Sequence, residues 1–321
     1  MQRPSSLFVR LSIALLSVLL AVTLAQESNL AERIITITYD GGNRTSPNLR
    51  FGPYNYTHPE PDGIVATVSN LTIYASEAQL RAPEGVLIAE AEGQREASFD
   101  GGVRVERGRL TANGPDLVYS EATGLGVLGG PANVVVTPSD DSEEPAEISA
   151  QQVTFDVDTD TSVSQGDVEL VNGRQRAQAD ELIFEQGRDL AVLSSAGEQV
   201  TAQRQEDEGD DLVIIADELR VLTEEDQLLA TGNVTIVDGN IQSTGATVFF
   251  NDETSRAEIV GTPDAPAVSR EFNDAGEVIF EISGPRIEQR TDIDAVSLID
   301  TSVPLSFDES TFELSQDVTT P

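Results

Sequence analysis

Between residues 60 and 310 apolar and polar side chains alternate in short runs broken by glycine, aspartate and asparagine, and no stretch carries the 3.6-residue rhythm of a helix. In "GNVTIVDGNIQSTG" (232–245), Val234 and Ile236 alternate with Asn233 and Thr235, the period-two pattern of a strand with one buried face. "VTFDVD" places Val153, Phe155 and Val157 on one side, and "DELIFE" places Leu182 and Phe184 on one face with Ile183 on the other. An all-β chain follows, with a strand about every ten residues. Asp238-Gly239 predicts a two-residue hairpin turn, as does Asn172-Gly173, because such turns need positive φ at their centre. Consecutive strands are then antiparallel neighbours, and this turn sets Ile236 opposite Ile241.

The phrases recur. "SQGDVELVNG" (164–173) is answered by "ATGNVTIVDG" (230–239). A second series reads "SAQQVTF" (149–155), "QADELIF" (178–184), "IADELRV" (215–221) and "STGATVF" (243–249). The anchors Ala112, Ala150, Ala179, Ala216, Ser243 and Gly284 lie 38, 29, 37, 27 and 41 residues apart, so the repeating unit is a pair of about 65 residues. Each long interval contains a polar insertion: "SDDSEEPAE" (139–147), "RQEDEGDD" (204–211) or "REFNDAGE" (270–277). Stacked units would project these from one corner as a column of acidic loops. Such a column is either a solvated edge that discourages strand pairing or a collector of divalent cations.

Composition restricts the setting. Residues 1–25 hold Arg3 and Arg10, the apolar run Leu11 to Leu20, then Thr23-Leu24-Ala25, the signature of a cleaved export signal; the apolar run is shorter than the ~20 residues a membrane span needs. Removing it takes away two arginines and no acid, which moves the formal charge from −37 to −39. That field repels phosphate polymers, so nucleic acid is not a partner. All 19 basic residues are arginine, and no cysteine is present, so neither disulfides nor an N-terminal cysteine lipid anchors the protein.

Residues 216–261, "ADELRVLTEEDQLLATGNVTIVDGNIQSTGATVFFNDETSRAEIVG", resemble the OstA-like domain of the LptA family, which bridges the inner and outer membranes in lipopolysaccharide export. The resemblance rests on Ala216-Asp217-x-Leu219, on Ala230-x-Gly232-Asn233-Val234, and on the glycine rhythm down to Gly261; weaker copies extend it back to about residue 75. It implies an elongated, open, twisted antiparallel β-jellyroll whose apolar interior shields acyl chains while sugars stay outside. Head-to-tail homo-oligomers and related jellyroll proteins of the two membranes are the partners it implies, in the periplasm. The chain departs from the family in its length, its extreme charge and the absence of the repeat from residues 26–75.

A lipid conduit needs apolar side chains aligned through many layers, because each buried methylene is worth ~0.8 kcal/mol and the path must stay dry. The lipid-binding candidates are Val153, Phe155, Val168, Leu170, Leu182, Phe184, Leu219, Val221, Val234, Ile236, Ile241, Val248 and Phe250. The same residues serve equally well as the closed core of an ordinary sandwich. Arg104, Arg107 and Arg109 in "VRVERGRL" are candidates for an anionic head group, or for surface ion pairs. With a charge near −39, a weakly charged glycolipid or a cation-screened cargo is expected.

Enzymatic readings find little support. The single histidine, His58 in "YTHPEP", has no partner motif. "DVDTD" (156–160) opens like a calcium loop but has Thr161 where glycine belongs and Asp167 where the closing glutamate belongs, so it reads as an acidic hairpin turn; no metal or cofactor is expected. The chain divides into a signal (1–25), an N-terminal cap or docking segment (26–75), the repeat jellyroll (76–284) and C-terminal edge strands with "AVSLI" and "TFEL" before a frayed tail (285–321). Two functions remain: a periplasmic lipid carrier, and a structural envelope protein assembling through its end strands without a lipid.

Overall fold

The structure, a computed structural model, describes residues 32–139, 144–205, 211–315 and 318. The export signal at 1–25, the centres of the first two acidic insertions and most of the tail lie outside the described residues.

Six short strands begin the fold: β1 (Thr36–Thr38), β2 (Asn43–Thr45), β3 (Tyr54–Thr57), β4 (Ile64–Val68), β5 (Leu71–Ala75) and β6 (Glu77–Arg81). Six long ones follow: β7 (Glu96–Arg107), β8 (Leu110–Ser120), β9 (Leu125–Val136), β10 (Ala146–Asp156), β11 (Thr161–Asn172) and β12 (Gln175–Glu185). Four short strands, β13 (Leu190–Ser194), β14 (Val200–Arg204), β15 (Leu212–Ala216) and β16 (Glu218–Leu222), precede two more long ones, β17 (Gln227–Asp238) and β18 (Ile241–Asn251). The series closes with β19 (Arg256–Val260), β20 (Ala267–Phe272), β21 (Val278–Gly284), β22 (Arg286–Arg290) and β23 (Ala295–Leu298).

Every pairing is antiparallel, and each long strand serves two sheets. Strand β12 pairs with β14 through Gln175–Gln178 and with β13 through Glu181–Glu185; β17 and β18 divide in the same way. The first sheet therefore runs β1-β4-β5-β7-β8-β9-β10-β11-β12-β14-β15-β17-β18-β20-β21. The second runs β2-β3-β6-β7-β8-β9-β10-β11-β12-β13-β16-β17-β18-β19-β22-β23. This is an elongated two-sheet jellyroll, all-β as the alternation requires and of the architecture that the resemblance implies. Residues 36–75 are not set apart from it: they supply the first layers of both sheets.

The recurring phrase is the corner at which a long strand leaves one sheet for the other. Register breaks between Gln165 and Val168 in β11 and between Thr231 and Val234 in β17. The residues skipped are Gly166-Asp167 (φ +79° and +48°) and Gly232-Asn233 (φ +76° and +48°). Two consecutive positive φ values make a bulge that bends the strand, and glycine followed by Asp or Asn tolerates them. At Gly232 a Cβ would also collide with the Asp217 carboxylate. Asp217 braces this corner: it accepts from Asn233 Nδ2 at 2.7 Å and donates its N–H to Gly232 O at 2.9 Å. The Ala-Asp-x-Leu and Ala-x-Gly-Asn-Val motifs thus meet at one point.

One expected register is wrong. Asp238 pairs with Ile241 and Ile236 with Ser243, so the turn is Gly239-Asn240, one residue later than expected, and Ile236 does not face Ile241. The earlier copy shifts likewise, with Asn172 opposite Gln175. Only Gly239 (φ +53°) takes the positive angle there, while Asp238, buried, accepts from Gln289 Nε2 at 3.1 Å and so ends the strand instead of turning it. The strands flanking all three acidic insertions, β9/β10, β14/β15 and β20/β21, end on the same margin of the first sheet.

"TFEL" is not a strand either. After β23 the chain crosses back over the outer face of the second sheet, and Glu309–Phe312 form a 3-10 turn. Phe312 is buried there with Ile183, Val192, Leu222, Leu229 and Phe249, and Phe307 stacks on Phe249 at 4.8 Å. Arg220 Nη1 donates to Phe312 O at 3.0 Å and Arg188 Nη2 to Thr311 O at 2.5 Å, fixing this strap.

Candidate functional site: the interior and its seam

Apolar side chains of the two sheets meet in one continuous interior that extends from Ile64 in the first layers to Ile287 in the last. All thirteen lipid-binding candidates are buried, none more than 5% exposed. Val168, Leu170, Val234, Ile236 and Ile241 come from the first sheet. Val153, Phe155, Leu182, Phe184, Leu219, Val221, Val248 and Phe250 come from the second. Twelve of them belong to that interior; Ile241 is buried outside it. Ile183 points the other way, under the strap, as alternation in "DELIFE" requires.

Most of the same interior lies outside the thirteen candidates. Leu71, Ile73, Phe99, Leu117, Tyr119, Leu128, Ile148, Leu193 and Ile214 are all buried in it. Their alternation was present in "NLTIY" and "EASFDG", but without the repeat phrase nothing assigned those segments to the same face. The interior is filled by its own side chains, which are almost wholly shielded from solvent; at its edge, where Arg204, Leu212, Ile214, Leu228 and Phe250 meet, a recess of about 20 Å³ has room for about one water. Towards the last layers the lining turns polar. Buried Ser243 donates to Gln289 Oε1 at 2.7 Å and accepts from the Ser269 hydroxyl at 2.9 Å.

One long side of this interior is closed covalently, by the strands that turn the corner. On the other side two rows of hairpins face each other. The first sheet contributes the turns after β4, β7, β9, β11, β14 and β17; the second contributes those after β8, β10, β12, β16, β18 and β22. Side chains bridge the rows along their length. Asn70 Nδ2 donates to Asp160 Oδ1 at 2.7 Å, and Gln186 Nε2 to Arg107 O at 2.8 Å. Arg109 spans to Asp189 Oδ1 at 2.5 Å and also pairs with Glu224. Asn172 Nδ2 donates to Thr223 O at 3.2 Å, Gln175 Nε2 to Asp252 Oδ2 at 2.8 Å, and Arg204 pairs with Asp252. Each of these crossing bonds uses at least one side chain, whereas the backbone bonds Thr137 N to Arg109 O and Thr223 N to Asp189 O run within a row. Among the described residues the seam can therefore part without breaking a strand ladder.

Midway along the seam lies a cleft of about 310 Å³ whose lining includes Arg109, Glu144, Arg174, Gln175, Asp189, Glu224, Asp226 and Asp252. Burial pushes the Asp189 carboxyl above its ordinary range despite its bond to Arg109, and burial with Asp252 and Glu253 nearby raises Asp226. Burial also acts to raise Glu224, but Ser139, donating from N at 2.7 Å and Oγ at 2.9 Å, and Arg109 hold it below the usual range. Among the described residues no group of three or more histidine, aspartate or glutamate side chains is arranged to hold a metal ion.

The three candidate arginines do not converge. Arg104 lies on the outside of the first sheet, 3.8 Å above the Tyr74 ring, and pairs with Asp62 and Glu106. Arg109 is occupied in the seam. Arg107, three residues after Arg104 and two before Arg109, is buried at the mouth of the interior, with its guanidinium carbon 5.6 Å from the Phe155 ring centroid.

The two ends differ. At the C-terminal end β21 is the outermost strand of the first sheet and exposes Val278, Ile279 and Phe280; at the other end stand the short strands "TIT" and "NRT" of β1 and β2. Among the described residues no helix is long and apolar enough to cross a membrane.

No family model matches the chain, and no curated protein matches it. Among solved structures the chain is similar to LptH from Pseudomonas aeruginosa, described as the LptA-homologous periplasmic component of the conserved lipopolysaccharide transport device. The two share 10% identity at a TM-score of 0.35, over 45% of this chain and 98% of LptH.

Proposed function

We propose that this chain is a non-enzymatic lipid carrier of the periplasm, holding the acyl chains of lipopolysaccharide or a related glycolipid between its two sheets on the way to the outer membrane. The observation that carries this reading is the apolar interior shared by successive layers and bridged from Arg107 to Asp252 along one side, among the described residues, by bonds that each use a side chain. The likeness of residues 216–261 to the OstA-like domain points the same way. Because the interior is filled, loading requires the seam to part and the side chains to yield to the acyl chain methylene by methylene, each worth ~0.8 kcal/mol. The acidic surface favours a weakly charged or cation-screened cargo. Bridging follows from the ends: the exposed apolar edge of β21 at one end and short polar edges at the other suit head-to-tail copies of this chain and related jellyroll proteins at either membrane.

A second reading, a structural envelope protein that uses those edges without a lipid, is favoured by the packed interior itself. In-cell photocrosslinking separates the two. A photoreactive phenylalanine analogue at Phe155 or Phe250 captures glycolipid and one at the outward-facing Val118 does not, if the carrier reading holds. Crosslinks at Phe155 and Phe250 that reach only protein, with neighbouring chains captured at Phe280, leave the structural reading.

A further inference from the structure

Among the described residues five buried side-chain nitrogen or oxygen atoms have no hydrogen-bond partner, and three of them belong to one contacting pair: Arg107 Nε and Nη2, and Gln186 Oε1. The Arg107 side chain is fully buried. Its Nη1 donates to Asp156 O at 3.0 Å, and its Nε lies 3.6 Å from Asp160 Oδ1, near enough to feel the charge and too far for a hydrogen bond. Asp160 is half exposed and already accepts from Asn70. Burial holds the guanidinium below its ordinary range.

Arg95 shows what such a group requires in this protein. Also mostly buried, it directs Nε (3.0 Å) and Nη2 (2.6 Å) to the two oxygens of Glu121, a bidentate pair. On Arg107 the same Nε/Nη2 edge makes no hydrogen bond and has only the more distant Asp160 carboxylate near it. A buried cation with two unfilled donors is strongly disfavoured unless something completes it. Arg107 ends β7 at the seam, with Phe155 of the interior beside it, so an anion there has its oxygens at the mouth and its substituent directed inward.

We propose that the Nε/Nη2 edge of Arg107 receives the carboxylate or phosphate head group of a lipid whose acyl chain lies along Phe155 in the interior. This rests on the carrier reading and adds a polarity to it: one anionic group is bound just inside the seam, although the outer surface repels anions. Arg107 is the member of the Arg104, Arg107 and Arg109 set that can do so, since the other two hydrogen-bond carboxylates while its Nε and Nη2 bond none.

The test is calorimetric titration of the mature protein at neutral pH with dodecanoate, methyl dodecanoate and inorganic phosphate, for the native chain and for Arg107→Gln. Dodecanoate is expected to bind at least about tenfold more tightly than its ester, the effect of charge-assisted hydrogen bonds. Arg107→Gln is expected to erase that preference, so that acid and ester bind alike, and phosphate is expected not to compete. Equal binding of acid and ester by the native chain overturns the role of Arg107 and leaves the carrier reading standing, and that comparison does not depend on the variant folding. Phosphate competing as well as dodecanoate identifies a free-anion site and overturns the lipid head group. If neither acid nor ester binds, the carrier reading fails and takes this one with it.

Discussion

Replacing Arg109 with methionine removes the cation that holds two carboxylates across the seam. Arg109, Asp189 and Glu224 have side chains 31%, 16% and 26% exposed, between a solvated pair, worth about 0–1 kcal/mol, and a buried one, whose breakage costs about 3–5 kcal/mol. A loss of about 1–3 kcal/mol at neutral pH is expected, screened in part by salt. Its pH dependence carries the sharper content. In the native chain Asp189 is raised and Glu224 lowered, so the two act oppositely. Asp189 contributes stability at low pH that is lost as pH rises through its folded value; Glu224 contributes stability above its unfolded value that is lost as pH falls through its folded one. Without Arg109 both carboxyls lose a partner that favours ionisation, so both shift upward and protonation relieves the defect. The difference between native and variant chains is therefore large at pH 7 and small near pH 3. Urea unfolding followed by circular dichroism at the two values measures it, the chain having no tryptophan to report by fluorescence. A difference that is the same at both pH values would refute the reasoning, because it would mean that methionine acts through packing and not through the stranded charges.

Gly232→Ala is expected to cost more than Gly239→Ala in thermal unfolding: both positions have positive φ, worth about 1–2 kcal/mol against alanine, but only at Gly232 does the new Cβ collide with Asp217, whereas Gly239 faces open space. Phe312→Ala should lose about 3 kcal/mol of local packing and release the strap, seen as new proteolytic cleavage between residues 299 and 315 while the strands stay protected. Phe280→Glu, on the exposed edge strand β21, should leave the melting temperature within about 1 °C and abolish concentration-dependent association in sedimentation velocity, if the ends join as proposed.

Period-two alternation and the glycine-Asx phrase are local properties, and they were enough for an all-β chain in stacked pairs. The alternation in "DELIFE" assigned Leu182 and Phe184 to one face and Ile183 to the other, because successive side chains on a strand can only point to opposite sides. The spacing of the acidic insertions placed their flanking strands on one margin for the same reason: a regular repeat returns the chain to the same place in each layer. What the phrase did was less legible. Gly232-Asn233 is a bend within a strand; positive φ suits a turn as well, and only pairing with β15 and β16 on its two sides distinguishes them. Register failed by one residue at Asp238, whose buried bond to Gln289 is formed 51 residues away.

Contacts across the seam were beyond the sequence altogether. Arg109 meets Asp189 and Glu224 over separations of 80 and 115 residues, and Arg204 meets Asp252 over 48. No periodicity specifies which of 56 acidic residues a given arginine will face. Arg104, Arg107 and Arg109 looked equivalent in "VRVERGRL", and the fold gave them an outer surface, an interior and a seam. Local chemistry determined that the chain forms strands, which side chains each strand turns inward and where it bends. The closing of two sheets on each other decided which charges pair, which is buried with its donors open, and that the apolar faces fill the space between them.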